Sequence, residues 1–150
     1  MPDEDLDFLL NLNLASMFML GQAAAQKMMA GRAGGSIIHM SSQMGRIGGP
    51  NRSVYCATKH GLEGLVKASA LELAPEGIRV NAVAPTFVDT PLTKPFFEDK
   101  AFSDWVFERM PIQRLATVEE VAAAVVYLAA PVSASVTGTS LAVDGGWTAQ

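Results

Sequence analysis

Apolar and polar positions follow two different periods along the chain, and each change of period marks a new predicted element. In residues 3 to about 29, apolar side chains recur at helical spacing after an acidic first turn, which predicts a long amphipathic helix. The recurring positions are Leu6, Leu10, Met17, Leu20, Ala24 and Met28. The glycine-rich stretch 31–35 then predicts a turn, and the short apolar run 36–42 predicts a strand.

The middle of the chain repeats this order of elements. A glycine-rich loop at 45–50 leads into a second predicted helix at about 54–74, which Pro75 and Gly77 close. Residues 78–84 alternate in the manner of a strand, and this run stops at Pro85. A second helix and a second strand therefore follow the first pair.

The last part of the chain carries a third pair. Thr117 and Glu120 have the spacing of a capping box, which predicts the start of a helix that ends by Pro131. The run 140–144 is strand-like and is followed by two glycines. Alternating helices and strands predict an α/β fold with a parallel sheet of about three strands, and the absence of repeats or linkers predicts one domain over residues 1–150.

Composition and charge narrow the function classes. With 49% hydrophobic and 17% charged residues, 150 residues suffice for a packed core. The net charge of −4, without a basic cluster, argues against nucleic acid as a partner. The acidic N-terminus is unlike a signal peptide and the apolar run 121–130 is too short for a bilayer, so we expect a cytoplasmic protein without a membrane partner. The single cysteine, Cys56, cannot form an internal disulfide, and no ligand spacing predicts a metal site.

Asn13 interrupts the apolar stripe of the first predicted helix. It falls between Leu10 and Met17, where a side-chain amide is unfavourable unless its hydrogen bonds are satisfied. A functional polar partner and an ordinary capping or water-bound amide both explain this position, and the residue alone favours the ordinary explanation.

Tyr55 and Lys59 are four residues apart on the second predicted helix and so share one face. Leu62 and Val66 continue that face as an apolar stripe, so the lysine is expected to point towards the sheet. An ammonium beside a phenol favours the phenolate, and such a pair can transfer a proton to or from a carbonyl oxygen. The alternative is an ordinary lysine whose stem packs beside an aromatic ring.

Two serines end the first predicted strand. Ligands of parallel α/β sheets bind outside the carboxyl ends of the strands, so a hydroxyl at Ser42 is placed to contact a substrate oxygen. Ser41 is an equal candidate from position alone, and either serine could instead satisfy the following loop.

Four motifs, in this order and spacing, resemble the short-chain dehydrogenase/reductase family. They are Ser42-Gln-Met-Gly45, Tyr55-Cys-Ala-Thr-Lys59, Val80-Asn-Ala-Val-Ala-Pro85 and Val143-Asp-Gly-Gly146. The resemblance implies that the chain is the C-terminal part of a Rossmann-like, doubly wound parallel sheet. It also selects Ser42 over Ser41 and makes Asn13 similar to the asparagine of the family's catalytic tetrad.

The resemblance implies a role for each tetrad residue. Tyr55 would be the general acid in reduction and the base in oxidation, and Lys59 would assist Tyr55 and bind the nicotinamide ribose. Ser42 would orient and polarise the substrate oxygen, and Asn13 would hold a water that links Lys59 to solvent. Hydride transfer belongs to the cofactor, which would be NAD or NADP.

The loop after the second strand resembles the family's nicotinamide-covering loop. The resemblance places Pro85, the backbone of Val88 and the side chain of Thr90 near the carboxamide. The chain departs from the family at Thr86, where glycine is usual, and the added Cβ is expected to perturb the turn.

Aromatic residues are concentrated between the two prolines at 91 and 111, where the family has a mobile substrate lid. They are Phe96, Phe97, Phe102, Trp105 and Phe107. They would either roof a substrate pocket or pack a short helix onto the body of the protein. The sequence of this region is most similar to that of polyol or sugar-acid dehydrogenases of the family. It is second most similar to that of 3-oxoacyl-carrier reductases.

A complete family member begins with a strand, a glycine-rich turn and a helix that bind the pyrophosphate, and none of these is present in the 150 residues. The loop 45–50 lacks the GxGxxG spacing and is interpreted as an active-site loop. The residue that reads the ribose 2′ position belongs to the missing segment, so the cofactor is given as NAD or NADP. The first strand would then keep an open apolar edge, which favours self-association. The resemblance implies a homodimer or homotetramer in which the two long helices form the dimer contacts.

Three functions compete on this evidence. The leading prediction is an NAD(P)-dependent oxidoreductase, or a fragment of one, that interconverts a secondary alcohol and a ketone. The main rival is an inactive truncated paralogue that serves as an oligomerisation module. A Ser/His hydrolase has little support, because Ser42 lacks a GxSxG setting and His39 and His60 have simpler explanations on a strand and a helix surface.

Overall fold

A computed structural model of the chain describes residues 2–149 and shows a parallel sheet covered by helices on both faces. The strands are β1 (Gly35–Met40), β2 (Ile78–Pro85) and β3 (Ser140–Val143), in the spatial order β1-β2-β3. Both pairings are parallel, with Ile37 opposite Val80 and Ala82 opposite Ser140. The predicted α/β class and the three-stranded sheet are confirmed, with strand ends that differ by one or two residues from the expected ones.

The central strand β2 is buried along almost its whole length because helices cover both of its faces. On one face Ile78, Val80 and Ala82 pack with residues of α2 (Ser16–Gly31) and α3 (Ser53–Leu73). On the other face Val83 packs with Leu128 of α5 (Val118–Ala129). This is the two-sided covering that a doubly wound sheet requires.

Polar capping and amide contacts fix the elements around β3. The predicted capping box of α5 is present, since the Thr117 side chain accepts from the Glu120 backbone and the Glu120 carboxylate accepts from the Thr117 backbone. The buried Asn81 amide donates to the carbonyl of Val136 at 2.8 Å and accepts from the backbone N–H of Thr139 at 3.1 Å. A side chain of β2 therefore holds the loop that leads into β3.

The N-terminal helical stretch differs from the single regular helix expected. It consists of α1 (Asp3–Leu10), a π-helical segment (Asn11–Ala15) and α2, and only Ala25 within it is buried. The π segment accommodates more residues per turn, so the apolar stripe read at a constant helical period shifts its direction. Leu20, expected on that stripe, is 66% exposed. Other large apolar side chains of the stretch are exposed to a smaller extent: Leu6, Phe8, Leu10, Leu12, Phe18 and Met19.

This stretch, residues 3–31, is also long and apolar enough to cross a membrane by length and composition, with 6% of its most apolar window buried. A core helix of a soluble protein meets the same criteria. The segment packs on α3, where Leu14 lies against Gly61.

The aromatic residues between 91 and 111 pack onto the body of the protein. α4 (Lys100–Phe107) begins at Asp99, whose carboxylate accepts from the backbone N–H groups of Ala101 and Phe102. Its apolar side forms a cluster around Val106 and Met110. The other members of this cluster are Ile47, Phe87, Phe97, Phe102, Trp105, Phe107 and Trp147. Of the two predicted alternatives, most of these rings therefore pack a short helix onto the body of the protein, while Phe96 stays exposed.

Candidate active site

The two serines after β1 point in different directions. Ser42 caps the short 3₁₀ turn Gln43–Gly45, and its hydroxyl oxygen accepts from the backbone N–H of Met44 at 3.2 Å. Ser41 donates its hydroxyl to the Glu63 carboxylate at 2.5 Å. Ser41 is therefore committed to a buried structural contact, and Ser42 is the serine that lines a pocket.

Tyr55 and Lys59 lie one turn apart on the face of α3 that meets the sheet. The Lys59 ammonium is 5.7 Å from the centroid of the Tyr55 ring and donates to the carbonyl of Met40 at 3.0 Å. Burial lowers the pKa of Lys59, because removal from water disfavours the ammonium. The carbonyl at the end of β1 thus fixes the lysine beside the tyrosine.

Ser42 and Tyr55 share one pocket of about 210 Å³ at the carboxyl ends of β1 and β2. Its lining residues are Ser42, Gln43, Met44, Arg52, Tyr55, Thr86, Phe87 and Thr93. The parallel register explains this meeting, because the ends of neighbouring parallel strands lie at the same edge of a sheet. The structure therefore brings together two of the four predicted catalytic residues, with Lys59 directly beside Tyr55.

Asn13 lies in the π-helical segment and is half-buried. Its neighbour Leu14 packs against Gly61 of α3, two residues after Lys59. The asparagine does not line the pocket of Ser42 and Tyr55. π-helical segments often occur at functional positions. This segment contains Asn13, the residue that interrupts the apolar stripe in the sequence.

The predicted cofactor loop is held by Thr93, which sequence reasoning missed. Pro85 is the buried last residue of β2, and Val88 forms an isolated parallel bridge with Ala116. The Thr93 hydroxyl donates to the carbonyl of Val88 at 2.5 Å and lies 3.1 Å from the hydroxyl of Thr90. Val88 and Thr90, two of the three predicted contact residues of this loop, are thus connected through one further side chain.

Thr86 occupies the usual glycine position without adopting a left-handed backbone. Among residues 2–149, the non-glycine residues with positive φ are Arg32 and Asn51. The backbone N–H of Thr86 donates to the carbonyl of Val143 at 3.2 Å. The backbone of Thr86 is thus not left-handed, and its side chain lines the pocket.

Glu63 is a second polar residue that sequence reasoning missed. Its buried carboxylate accepts hydrogen bonds from Ser41 at 2.5 Å and from Ser140 at 2.8 Å. It therefore connects α3 to the residue that follows β1 and to the first residue of β3. The available signal was an acidic residue four positions after Lys59, on the same helix face.

The histidines and the cysteine lie elsewhere. His39 is buried in β1 beside Gly21, and burial lowers its pKa. His60 is exposed and its Nδ1 is 2.9 Å from the carbonyl of Cys56, which is half-buried and free. Because neither histidine lines the pocket of Ser42, the geometry gives no support to a Ser/His hydrolase.

The chain belongs to the short-chain dehydrogenase/reductase family. A family model described as enoyl-(acyl carrier protein) reductase matches residues 1–148. The 2-dehydro-3-deoxy-D-gluconate 5-dehydrogenase of Bacillus subtilis (strain 168) is 39% identical over 146 residues, covering 97% of this chain and 57% of that protein. The 3-oxoacyl-[acyl-carrier-protein] reductase of Thermotoga maritima is 40% identical over 146 residues, covering 97% and 58%.

A solved structure shows that the similarity includes the three-dimensional structure along this whole chain. The gluconate 5-dehydrogenase of Burkholderia cenocepacia J2315, in complex with NADP and tartrate, matches with a TM-score of 0.95 and 35% identity, covering 100% of this chain and 58% of that one. The match includes the N-terminal helical stretch, which is thus part of a dehydrogenase fold. The chain spans somewhat less than three fifths of the length of these relatives.

Proposed function

We propose that the chain is the catalytic portion of an NAD(P)-dependent oxidoreductase that interconverts a secondary alcohol and a ketone. Tyr55 exchanges the proton with the substrate oxygen. The Lys59 ammonium assists this proton transfer and binds the nicotinamide ribose. Ser42 orients the same oxygen, and Asn13 connects Lys59 to solvent through a water. The substrate is of the polyol, sugar-acid or 3-oxoacyl type.

The observation that carries this proposal is the shared pocket of Ser42 and Tyr55, with the Lys59 ammonium beside the phenol ring. Two hydroxyls that face one cavity can both contact a single substrate oxygen. A neighbouring ammonium stabilises the phenolate form, so the phenol can both give and take a proton.

The residues around Lys59 fit the nicotinamide half of the cofactor. A lysine ammonium has three N–H donors, and among the described residues Lys59 uses one of them, on the carbonyl of Met40. The other two suit ribose hydroxyl groups. Val88 and Thr90 follow the buried Pro85 by three and five residues and would contact the carboxamide of the cofactor. The bound nicotinamide would supply or accept the hydride.

The experiment that tests the proposal is calorimetry of the 150-residue chain with NADH and NADPH, followed by turnover assays on sugar acids, polyols and 3-oxoacyl esters. Micromolar binding together with turnover of one substrate class is the expected result. Neither binding nor turnover would instead favour an inactive module, or a fragment whose active site works only within a longer protein.

We also propose that the protein is a cytoplasmic homodimer or homotetramer. The supporting observation is the exposure of large apolar side chains on the N-terminal helical stretch, with Phe8 at 63% and Leu20 at 66%. Light scattering at micromolar concentration is the test. A stable monomer would contradict the proposed assembly.

A further inference from the structure

Among the described residues that line the pocket of Ser42 and Tyr55, one is charged: the cation Arg52. We infer that the substrate carries a carboxylate that Arg52 binds, and that the buried Gln43 side chain binds a hydroxyl of the same molecule. The substrate class is thus a hydroxy acid or its oxo-acid counterpart. This inference rests on the proposed oxidoreductase function and narrows its substrate.

Arg52 is placed beside the reacting position by the start of α3. It is the N-cap residue of the helix and precedes Tyr55 by three residues, about 4.5 Å of axial rise. Because Arg52 and Tyr55 line the same pocket, the guanidinium can bind a carboxylate while a carbon a few bonds away meets the tyrosine hydroxyl. Its planar fork of donors suits a carboxylate better than any neutral group.

No other described side chain or carbonyl occupies the Arg52 guanidinium. Among residues 2–149 no ion pair or side-chain hydrogen bond involves Arg52, although its backbone is bonded to Gly49 and Cys56. By contrast, Arg114 is bonded to Glu120, and Arg79 to the carbonyls of Leu128 and Val136. The cation beside the pocket is therefore free to bind an anion.

The helix start adds to the positive potential at this position. No side chain caps the first turn of α3, so its N–H groups keep the partial positive charge of a helix N-terminus. The preceding Asn51 adopts φ 57°, a left-handed conformation that asparagine tolerates better than most residues. This turn aims the chain so that the helix begins at the pocket.

Gln43 supplies the independent sign that the pocket is built for a polar ligand. Its side chain is 2% exposed, and its Oε1 atom has no hydrogen-bond partner among the described residues. The hydroxyl oxygen of Thr86, the residue that follows the neighbouring strand β2, is buried and unpartnered as well. Buried polar atoms are normally satisfied, so two such atoms lining one pocket indicate ligand hydroxyl groups as their partners.

The test compares acid and neutral substrates of matched shape. D-gluconate and D-glucitol differ only in carboxylate against hydroxymethyl at one end, and 3-hydroxybutyrate and its methyl ester form a second pair. The full chain and its Arg52→Gln variant are assayed on both pairs with saturating cofactor. We expect kcat/KM for the acids to fall about 10- to 100-fold in Arg52→Gln, the value of one or two charge-assisted hydrogen bonds, with the neutral partners unchanged.

A matched control separates local binding from overall charge. Lys67→Gln removes one positive charge from the exposed side of the same helix, about 22 Å from Arg52 along the axis. We expect no change in acid preference. An equal loss in Lys67→Gln, or an unchanged preference in Arg52→Gln, would overturn the inference while leaving the oxidoreductase proposal intact.

Two further readouts distinguish the remaining outcomes. If Arg52→Gln weakens NADH or NADPH binding and keeps the acid preference, the anion is a cofactor phosphate and the inference is wrong. If no substrate is turned over, the proposed function has failed, and the inference is decided by ¹⁵N NMR of the Arg52 side chain. A shift of its Nε resonance with D-gluconate but not with D-glucitol supports the carboxylate site, and equal responses contradict it.

Discussion

The two long helical regions of this protein use their side chains in opposite ways. Helix α3 buries both apolar and polar residues against the sheet: Thr58, Lys59, Leu62, Glu63, Val66 and Ala70. The N-terminal stretch of α1, the π segment and α2 has greater length, yet Ala25 is its only buried residue. One region is thus packed within this chain, and the other presents an apolar surface.

The two helical regions differ in the number of specific partners that their side chains have. Buried polar groups on α3 are held by specific partners, such as Met40 for Lys59 and Ser41 for Glu63. These hydrogen bonds fix the orientation of the helix side chains beside the candidate active site. The apolar face of the N-terminal stretch has area but few partners among the described residues, which suits association. Substitutions in the two regions should therefore have very different effects.

The largest effect is expected on turnover from Tyr55→Phe. Loss of the phenol hydroxyl removes the proton donor and acceptor, so kcat should fall by about 10²–10⁴-fold. Tyr127→Phe is the matched control, because the second tyrosine of the chain is exposed on α5. Steady-state assays and thermal melts of both variants check this, and a near-normal rate in Tyr55→Phe would refute the proton-transfer role.

Among stability effects, the largest is expected from Leu62→Ala on α3. Leu62 is 0% exposed, and truncation of a fully buried leucine costs about 2–5 kcal/mol. The paired variant Leu20→Ala alters a leucine that is 66% exposed within the chain, so at concentrations too low for self-association it should change the free energy of unfolding by no more than about 0.5 kcal/mol. Urea titration measures both. Equal losses would show that the N-terminal face is covered in solution.

An intermediate effect is expected from Glu63→Ala. This change leaves the hydroxyls of Ser41 and Ser140 without their acceptor in a buried position, at a cost of about 1–3 kcal/mol. Glu63→Gln keeps a carbonyl acceptor and should lose less. The comparison of the two variants by chemical denaturation tests whether Glu63 acts through hydrogen bonding. Identical losses would argue against it.

The smallest effect concerns the exposed capping box of α5 and its dependence on pH. The Arg114 side-chain hydrogen bond, followed by the Thr117 backbone, lowers the pKa of Glu120 to about 2. Since the folded pKa lies below the ordinary value of 4.5, this stabilisation is complete above pH 4.5 and is lost as the pH falls towards 2.

Melting temperatures of the wild type and Glu120→Gln across this range test the prediction. The difference between the two proteins should be small, because the pair is exposed and screened by solvent. It should be greatest near neutral pH and shrink on acidification. A difference that grows with acid would contradict the assignment.

The sequence alone determined the order and type of the elements and the positions of most candidate site residues. Periodicity and turn residues predict the three strands and the capped helix α5, because these signals are local. The spacing of Tyr55 and Lys59 predicts a shared helix face for the same reason. The motif order singles out Ser42 from Ser41, a choice that position along the strand could not make.

Only the tertiary structure decided which side chains meet. The contact of Glu63 with Ser140 joins residues 77 positions apart, and Thr93 and Arg52 reach the pocket from separate loops. No local period encodes such contacts, because they depend on the parallel register of β1, β2 and β3. The π segment at Asn13 is likewise invisible to a constant period, since it is defined by a change in hydrogen bonding within one helix.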